Sequence, residues 1–355
     1  MMFLSRLVLA GYSADPYSIS ISAPNDDEDF TAVSGAAEVN VGDVIVGLRT
    51  FREVPYIFCQ NSIYKIEGSS LSDFKITPVT RSIGCVSGDT IQEIGGDLLF
   101  LAPDGLRSLA ATARIGDVDL GLKSQKIQPI IKSFIGVFNS DEFSSCVIRK
   151  KGQYRLFTYD DTLTVDTTAK GVLGRVAELD AYGNAAYEWS TLAGIHAYCA
   201  DSEFDNNDET SIIGHPTTGF VYKMEVGNDF SGTAIEYIYK SPDLTFNDQT
   251  LQQSTMRKVL QKITVYTEVG GTIENDLYVK YDRENNDIMQ PAVITITQDG
   301  SIGVYDAAIY DTDTYDTVSV PIFKRNLIGS GFTASFQFSG IDSNPPHRID
   351  SYQIE

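Results

Sequence analysis

Only three histidines occur in the 355 residues, His196, His215 and His347, and two of them adjoin proline, as His215-Pro216 and Pro346-His347. Relays built on imidazole as general base, and zinc sites built on several imidazoles, therefore have little material to draw on. The four cysteines, Cys59, Cys85, Cys146 and Cys199, lie far apart with no C-x-x-C pair, which excludes a zinc ribbon on spacing. At four cysteines in this length a disulfide scaffold is not expected either. Apolar neighbours, as in Ile57-Phe58-Cys59 and Cys146-Val147-Ile148, mark them as small buried hydrophobes.

Carboxylates are abundant, and two clusters stand out. In Asp201-Ser202-Glu203-Phe204-Asp205-Asn206-Asn207-Asp208-Glu209, alternating oxygen donors could hold calcium. A helical-hand calcium loop wants Gly at its sixth position and Glu at its twelfth, and Asn206 and Ile212 stand there, so a solvated loop is the expectation. The second cluster is Asp306, Asp311, Asp313 and Asp316, in a run where Tyr305-Asp306, Tyr310-Asp311 and Tyr315-Asp316 recur every five residues. It reads as an aromatic-studded strand and turn with polar tips, or else as a metal-binding or interface loop. Glycoside hydrolysis needs two carboxyls roughly 5 to 10 Å apart around a sugar cleft, and the sequence singles out no such pair. Gly329-Ser330-Gly331 lacks the spacing of a nucleophile elbow, and neither a P-loop nor a dinucleotide-binding glycine motif appears. No catalytic, cofactor-binding or metal-ligating residue is nominated, and no cofactor is expected; the reading is a non-enzyme.

The charge agrees with that reading. Against 27 Lys and Arg stand 48 Asp and Glu, a formal net charge of −21. A sequence-reading nucleic-acid binder needs a basic face, and adhesion to an anionic membrane needs one too. The acidity is spread out, with eight basic against fourteen acidic side chains over residues 255–355 and 19 against 34 before them. The apolar opening, Met1 to Ala10, has no basic stretch before it and is interrupted by Arg6, so it reads as a first strand and not as a signal peptide. No apolar run approaches the 18 residues a membrane helix needs.

The elements that must carry these residues are strands. A hydrophobic fraction of 42%, 19 Tyr, 18 Phe and 29 Gly favour short strands and turns over long helices. Ser18-Ile19-Ser20-Ile21-Ser22 alternates with period two. Tyr56–Cys59 and Ser62–Glu67 form a hairpin across Gln60-Asn61, Gly95-Gly96 turns the chain before Asp97–Ala102, and Pro103-Asp104-Gly105 turns it again. Leu122 to Phe134 is the one helical rhythm, interrupted by Pro129. Strand signals recur every 8 to 12 residues or so, punctuated by Gly-Asp and Asp-Gly turns, which predicts an all-β chain. Propeller blades take about 40 to 45 residues, so residues 6–240 hold about five or six, and the opening strand Arg6–Gly11 would complete the last blade and close the ring. The expected organisation is a β-propeller-like body over 1–240, a linker over 241–254 and a β-sandwich-like domain over 255–355.

Three stretches carry a resemblance. The first is Arg6-Leu7-Val8-Leu9-Ala10-Gly11 followed by Pro16 to Pro24. The second is Gly42-Asp43-Val44-Ile45-Val46-Gly47-Leu48 followed by Ser62 to Gly68. The third is Ile83-Gly84-Cys85-Val86-Ser87 followed by Gly96 to Arg107. With Ile213 to Tyr222 and the closing Phe336 to Gly340 and Arg348 to Tyr352, their order resembles structural proteins of tailed-phage tails and head-to-tail connectors. It is most similar to the nozzle or tail-hub proteins of short-tailed phages, also called DNA-stabilisation proteins. Members usually carry more chain before the opening Arg-Leu strand, so this one would be compact or half of a split pair. The resemblance implies a virion tail protein, assembled in the host cytoplasm with no membrane anchor. It would form a ring of itself, commonly a homo-hexamer, contacting adaptor and portal-side proteins and tail fibres or spikes. That ring retains packaged DNA and passes it during ejection without reading its sequence. A carboxylate-lined lumen suits this, because it repels phosphate. The alternative is a carbohydrate-binding or glycan-hydrolysing propeller acting in receptor recognition.

Overall fold

The computed structural model describes residues 1–68, 73–109, 122–159, 170–179, 185–245, 256–269, 273–298, 322–343 and 347–355. The Tyr-Asp run at 305–316 lies outside them. The chain's named elements among the described residues are strands, the α-helix over 128–137 and a few 3-10 turns, and the chain divides into two units, Met1–Glu225 and Val226–Glu355.

The first unit is a succession of five small antiparallel sheets, each formed by strands that neighbour one another in chain order. The first holds β1 (Met2–Phe3), β2 (Arg6–Tyr12), β3 (Asp15–Ile21) and β4 (Ala37–Asn40). The second holds β5 (Ile45–Phe51), β6 (Val54–Cys59), β7 (Ile63–Glu67) and β8 (Lys75–Thr80). In the third are β9 (Gln92–Ile94), β10 (Asp97–Ala102) and β11 (Gly105–Ser108). The helix α1 (Gln128–Val137) follows, then the fourth sheet of β12 (Phe143–Ile148), β13 (Gln153–Thr158), β14 (Lys170–Leu179) and β15 (Ala185–Ala193). The fifth is β16 (Cys199–Asp205), β17 (Asp208–Gly214) and β18 (Val221–Lys223).

Strand alternation explains how the sheets stack. Neighbouring side chains on a strand point to opposite faces, so a strand buried on both faces reads as a continuous apolar run. In β6, Ile57 joins Val8, Ile19 and Ile21 of the first sheet, while Phe58 joins Leu98 and Phe100 of the third. The Phe58 and Phe100 rings meet edge-on at 5.3 Å. In β10, Leu99 and Leu101 face the other way, toward Tyr154 and Leu156 of the fourth sheet. In β13, Phe157 turns from that cluster to one with Ala197, Ile213 and Met224 around the fifth sheet. Each consecutive pair of sheets therefore shares a core, which is the propeller-like arrangement the strand rhythm predicts.

Three local expectations are revised. The opening strand pairs within the first sheet, Val8 with Ile21 and Phe3 with Arg6, so it completes no later sheet. Arg6 fixes it there by donating to the carbonyls of Ser22 and Gly35, both at 2.7 Å. The helix begins at Gln128, so Pro129 sits in its first turn, where its missing N–H costs nothing, and does not interrupt it. The division between units falls after Glu225 and not after residue 240. β19 (Asp229–Phe230) and β20 (Thr233–Lys240) belong to the second unit because β20 pairs with a late strand there. Ser241 and Leu244, expected in a linker, also bond to that strand, through the Phe336 and Ala334 carbonyls at 2.8 Å. Residues 246–255 lie outside the described residues.

The second unit is sandwich-like. After β21 (Lys258–Val259) come β22 (Lys262–Val269), β23 (Ile273–Tyr281), β24 (Ile294–Gln298), β25 (Ile322–Asn326), β26 (Ser330–Gly331), β27 (Ala334–Asp342) and β28 (His347–Ile354). One sheet runs β19-β20-β27-β23-β24 and another β25-β22-β28, with β21 and β26 paired separately. Leu277, Val279, Phe336 and Phe338 from the first sheet meet Ile263 and Val265 from the second, with Ile349 and Tyr352 packed against them. Among the described residues no helix is long and apolar enough to cross a membrane.

Candidate functional site

The acidic stretch 201–209 is a hairpin and not a loop. Asn206 and Asn207 take positive φ, 48° and 77°, as a two-residue primed turn demands, and β16 pairs with β17 from Cys199 opposite Gly214 to Asp205 opposite Asp208. An Asn-Asn pair between two alternating stretches was the sequence signal for it. The pairing sorts the acids by face. Asp201, Glu203 and Asp205 project on the outer face, exposed and spaced about 7 Å apart along the strand. Ser202, Ser211 and Ile213 are buried on the inner one. No loop of converging oxygens forms, so the calcium geometry is absent here.

Glu209 is used structurally. Its carboxylate accepts the N–H groups of Arg149 at 2.6 Å and Lys150 at 2.8 Å, and the Ser202 hydroxyl at 3.0 Å. Burial opposes its charge, but the Lys150 and Arg149 N–H groups and Ser202 outweigh that and hold the pKa below the ordinary value. Asp208 pairs with Lys150 at 2.9 Å. Glu225 takes Lys151 and, at 2.6 Å, the nearly buried Arg155. The basic turn Arg149-Lys150-Lys151 is thereby neutralised by the acids of 208–225. Asp43 does similar work in the second sheet, accepting Asn61 N–H at 2.9 Å and the Ser62 hydroxyl at 2.6 Å across the Gln60-Asn61 hairpin.

At the other end of the fifth sheet lies an exposed aromatic edge. His215 Nδ1 accepts the N–H groups of Thr217 and Thr218, both at 3.2 Å, which closes the turn through Pro216 and leaves the ring proton on Nε2. The His215 ring lies 5.6 Å from His196 and 6.1 Å from Tyr222, and Tyr222 lies 6.2 Å from Phe220. Tyr222 turns inward against the core, while Phe220 and Val221 are 63% and 68% exposed. Among the described residues β18 is the last strand of its sheet, so this apolar pair stands at an unpaired edge. Beside it on the outer face are Lys223, Ile212 and the Asp201, Glu203 and Asp205 stripe.

Cys59, Cys85 and Cys146 are buried, and burial pushes each thiol up to about 12, so none is a thiolate near neutrality, whereas Cys199 is exposed, against the expectation of a small buried hydrophobe. Among the described residues no group of three or more His, Cys, Asp and Glu could hold a metal ion. An open concavity of 490 Å³ is lined by Glu93, Arg149, Ile94, Val147 and Val176 among others, with one carboxylate where a glycosidase needs two.

No protein-family model matches the chain, and no curated protein matches it. Among solved structures it is similar to the N-terminal domain of Nup159, at 11% identity and a TM-score of 0.25, covering 95% of this chain and 87% of that one. A complex from S. cerevisiae in which Dbp5 is bound to Nup159, Gle1, IP6 and ADP gives 9% identity and a TM-score of 0.24, covering 95% and 86%. A glycoside hydrolase family 43 arabinoxylan arabinofuranohydrolase from Bacillus subtilis, with cellotetraose, gives 8% and 0.19, covering 99% and 95%. Scores this low bear on neither substrate nor partner.

Proposed function

We propose that this chain is a non-enzymatic structural protein of a phage tail, of the nozzle or hub type. It assembles as a ring of copies that retains packaged DNA and passes it during ejection. The reading begins from the sequence resemblance. The observation that carries it further is the makeup of the fifth sheet, where an apolar strand edge, Phe220 and Val221, borders an outer face carrying Asp201, Glu203 and Asp205. An unpaired edge with exposed apolar side chains is a surface for another chain. A carboxylate row beside it repels phosphate, so DNA would slide past without binding. Contacts between copies around a ring are heterologous, with one edge meeting a different surface of the next copy. A hexamer fits this, with adaptor, portal-side and fibre or spike proteins as the neighbours.

Averaged electron-microscopy images of the purified protein and of the virion test the proposal. Rings, placed on the tail axis, are expected, and Phe220→Asp with Val221→Asp should leave folded monomers that form none. A monomeric wild-type protein that binds or cleaves glycans would replace this reading with the receptor-recognition alternative.

A further inference from the structure

In the second unit, β21 and β26 pair as a two-residue ribbon, Lys258 opposite Gly331 and Val259 opposite Ser330. Tyr281 closes one face of it, since a Cβ on Gly329 or Gly331 would stand 2.7 or 2.9 Å from atoms of that side chain. Strand alternation sends Val259, Ile328, Ser330 and Phe332 to the opposite face. Val259, Ile328 and Phe332 are all exposed there. Asp282 Oδ1 accepts the N–H groups of Phe332 at 2.7 Å and Thr333 at 2.9 Å, and Lys258 Nζ donates to the Phe332 carbonyl at 3.3 Å. The Leu327 N–H donates to the Gln261 carbonyl at 2.8 Å. An apolar face held in place by such bonds, yet left uncovered by its own chain, has the properties of a docking surface, because little ordering entropy remains to be lost on binding.

The charge of this face is the reverse of the chain's. Arg257 stands at its margin and donates to the Ser330 carbonyl at 3.4 Å. Lys324 and Arg325 lie near the end of β25, which leads into Ile328, and all three cations are exposed. Among the described residues none of the three has an ion-pair partner, whereas Lys262 nearby takes Glu355 at 3.6 Å. In a chain of 27 basic against 48 acidic side chains, such a surface stands out and attracts carboxylates. The fifth sheet of the first unit is its converse. Ile212 and Val221 lie on the outer face of that sheet and Phe220 at its edge, all exposed, beside Asp201, Glu203, Asp205 and Lys223. Two copies of so acidic a chain repel through most of their surfaces, but these two surfaces match in apolar content and are opposite in sign.

We propose that the β21–β26 face of one copy seats the β18 edge of the next, with Val259 and Ile328 against Phe220 and Val221, and with Arg257 drawn to Asp201 at the near end of the acidic row. The inference rests on the ring reading above and supplies the surface that its open edge meets. Because the two surfaces differ, the contact is heterologous and repeats head to tail. Apolar burial holds the copies together, while the opposite charges fix their orientation and speed their encounter. Glu203 and Asp205 lie about 7 and 14 Å beyond Asp201 along β16, clear of the seated edge, so they still face passing phosphate.

Sedimentation velocity of the full chain over a range of concentrations tests it, with circular dichroism to verify folding. The wild type should assemble, and Val259→Asp with Ile328→Asp, like Phe220→Asp with Val221→Asp, should give folded monomers. An equimolar mixture of the two double variants is the decisive measurement. Each keeps the surface the other has lost, so they should form one-to-one dimers and nothing larger. Arg257→Glu should weaken assembly about tenfold or more at low salt, and Asp201→Lys in the same chain should restore it, which keeps the test open if a double variant fails to fold. Assemblies that survive Val259→Asp with Ile328→Asp overturn this pairing and leave the ring reading standing, as does a mixture that stays monomeric. A wild type that is monomeric at every concentration overturns both. Binding of duplex DNA that Arg257→Glu removes, with assembly unchanged, would assign the face to phosphate instead.

Discussion

Apart from Arg155 Nε, a buried atom of the first unit without a hydrogen-bond partner, the two units treat their buried polar groups differently. In the first, Arg107 is fully buried and its guanidinium donates to Asp104, with Nε at 2.8 Å, across the turn that leads into β11. Tyr154, also fully buried, donates its hydroxyl to the Thr90 carbonyl at 3.0 Å, and the Thr90 hydroxyl donates to the Ser87 carbonyl at 2.6 Å. These bonds tie the fourth sheet to the Ser87–Thr90 turn that leads into the third and fix the β10–β11 turn within the third. In the second unit, Tyr237, Tyr281 and Asn275 each keep a buried atom without a hydrogen-bond partner. The lesson is that a polar group in a core is structural when turn geometry brings it a partner. When two sheets close over it and none arrives, its desolvation is left uncompensated.

The contrast can be broken at several points. The largest effect belongs to Asp104→Ala, which removes the carboxylate paired with the Arg107 charge in the core. About 3 kcal/mol of stability should be lost, read by urea unfolding, and a loss under ~0.5 kcal/mol would show the pair to be dispensable. Next is Gly105→Val. Gly105 has φ +148°, and a Cβ there meets Ser124 Oγ at 2.6 Å and Leu122 Cδ1 at 2.7 Å, so a loss of about 2 kcal/mol is expected. An unchanged melting temperature would refute the placement of that turn.

A matched pair of tyrosine substitutions sharpens the comparison directly. Tyr154→Phe removes a made hydrogen bond and should cost about 1 kcal/mol, whereas Tyr237→Phe should be neutral or mildly stabilising. Equal costs in calorimetric unfolding would erase the distinction between the units. The smallest effect is a pH dependence at His347. Its folded pKa lies below its unfolded value of 6.5, so the unfolded chain binds the proton more readily. The stability contributed by the neutral ring is complete above about pH 6.5 and is lost as pH falls through the folded pKa. Discounted for its partial exposure, the change is under about 1 kcal/mol, and His347→Gln should abolish it. The same slope in the variant would assign the titration elsewhere.

Much of the strand pattern was legible because burial writes it into the chain. The alternating residue types of Ser18 to Ile21 fall in β3, although Ser18 is buried along with Ile19 and Ile21, while Ile57-Phe58-Cys59 is continuous because β6 is covered on both faces. The Gln60-Asn61, Gly95-Gly96 and Asp104-Gly105 turns were readable from residue type alone. The second-unit boundary was not, since the strand at Thr233–Lys240 has its partner about a hundred residues later, and no local signal records such a pairing. The acidic stretch misled for a related reason, as composition gave its charge but only the Asn206-Asn207 turn gave its conformation.

The candidate sites divide along the same line. Residue types and spacing sufficed to set aside multi-histidine metal sites, a zinc ribbon, a P-loop and a nucleophile elbow, because those chemistries need local motifs. Val259 and Ile328 reach one face from segments about seventy residues apart, and nothing near either of them marks it out. By itself the sequence determined the all-β class, the net charge of −21 and most turns, each a property of neighbours along the chain. Register and sheet stacking decided which acids share a face, which edge stays open and which polar groups meet in a core, because these depend on pairings that only the folded chain makes.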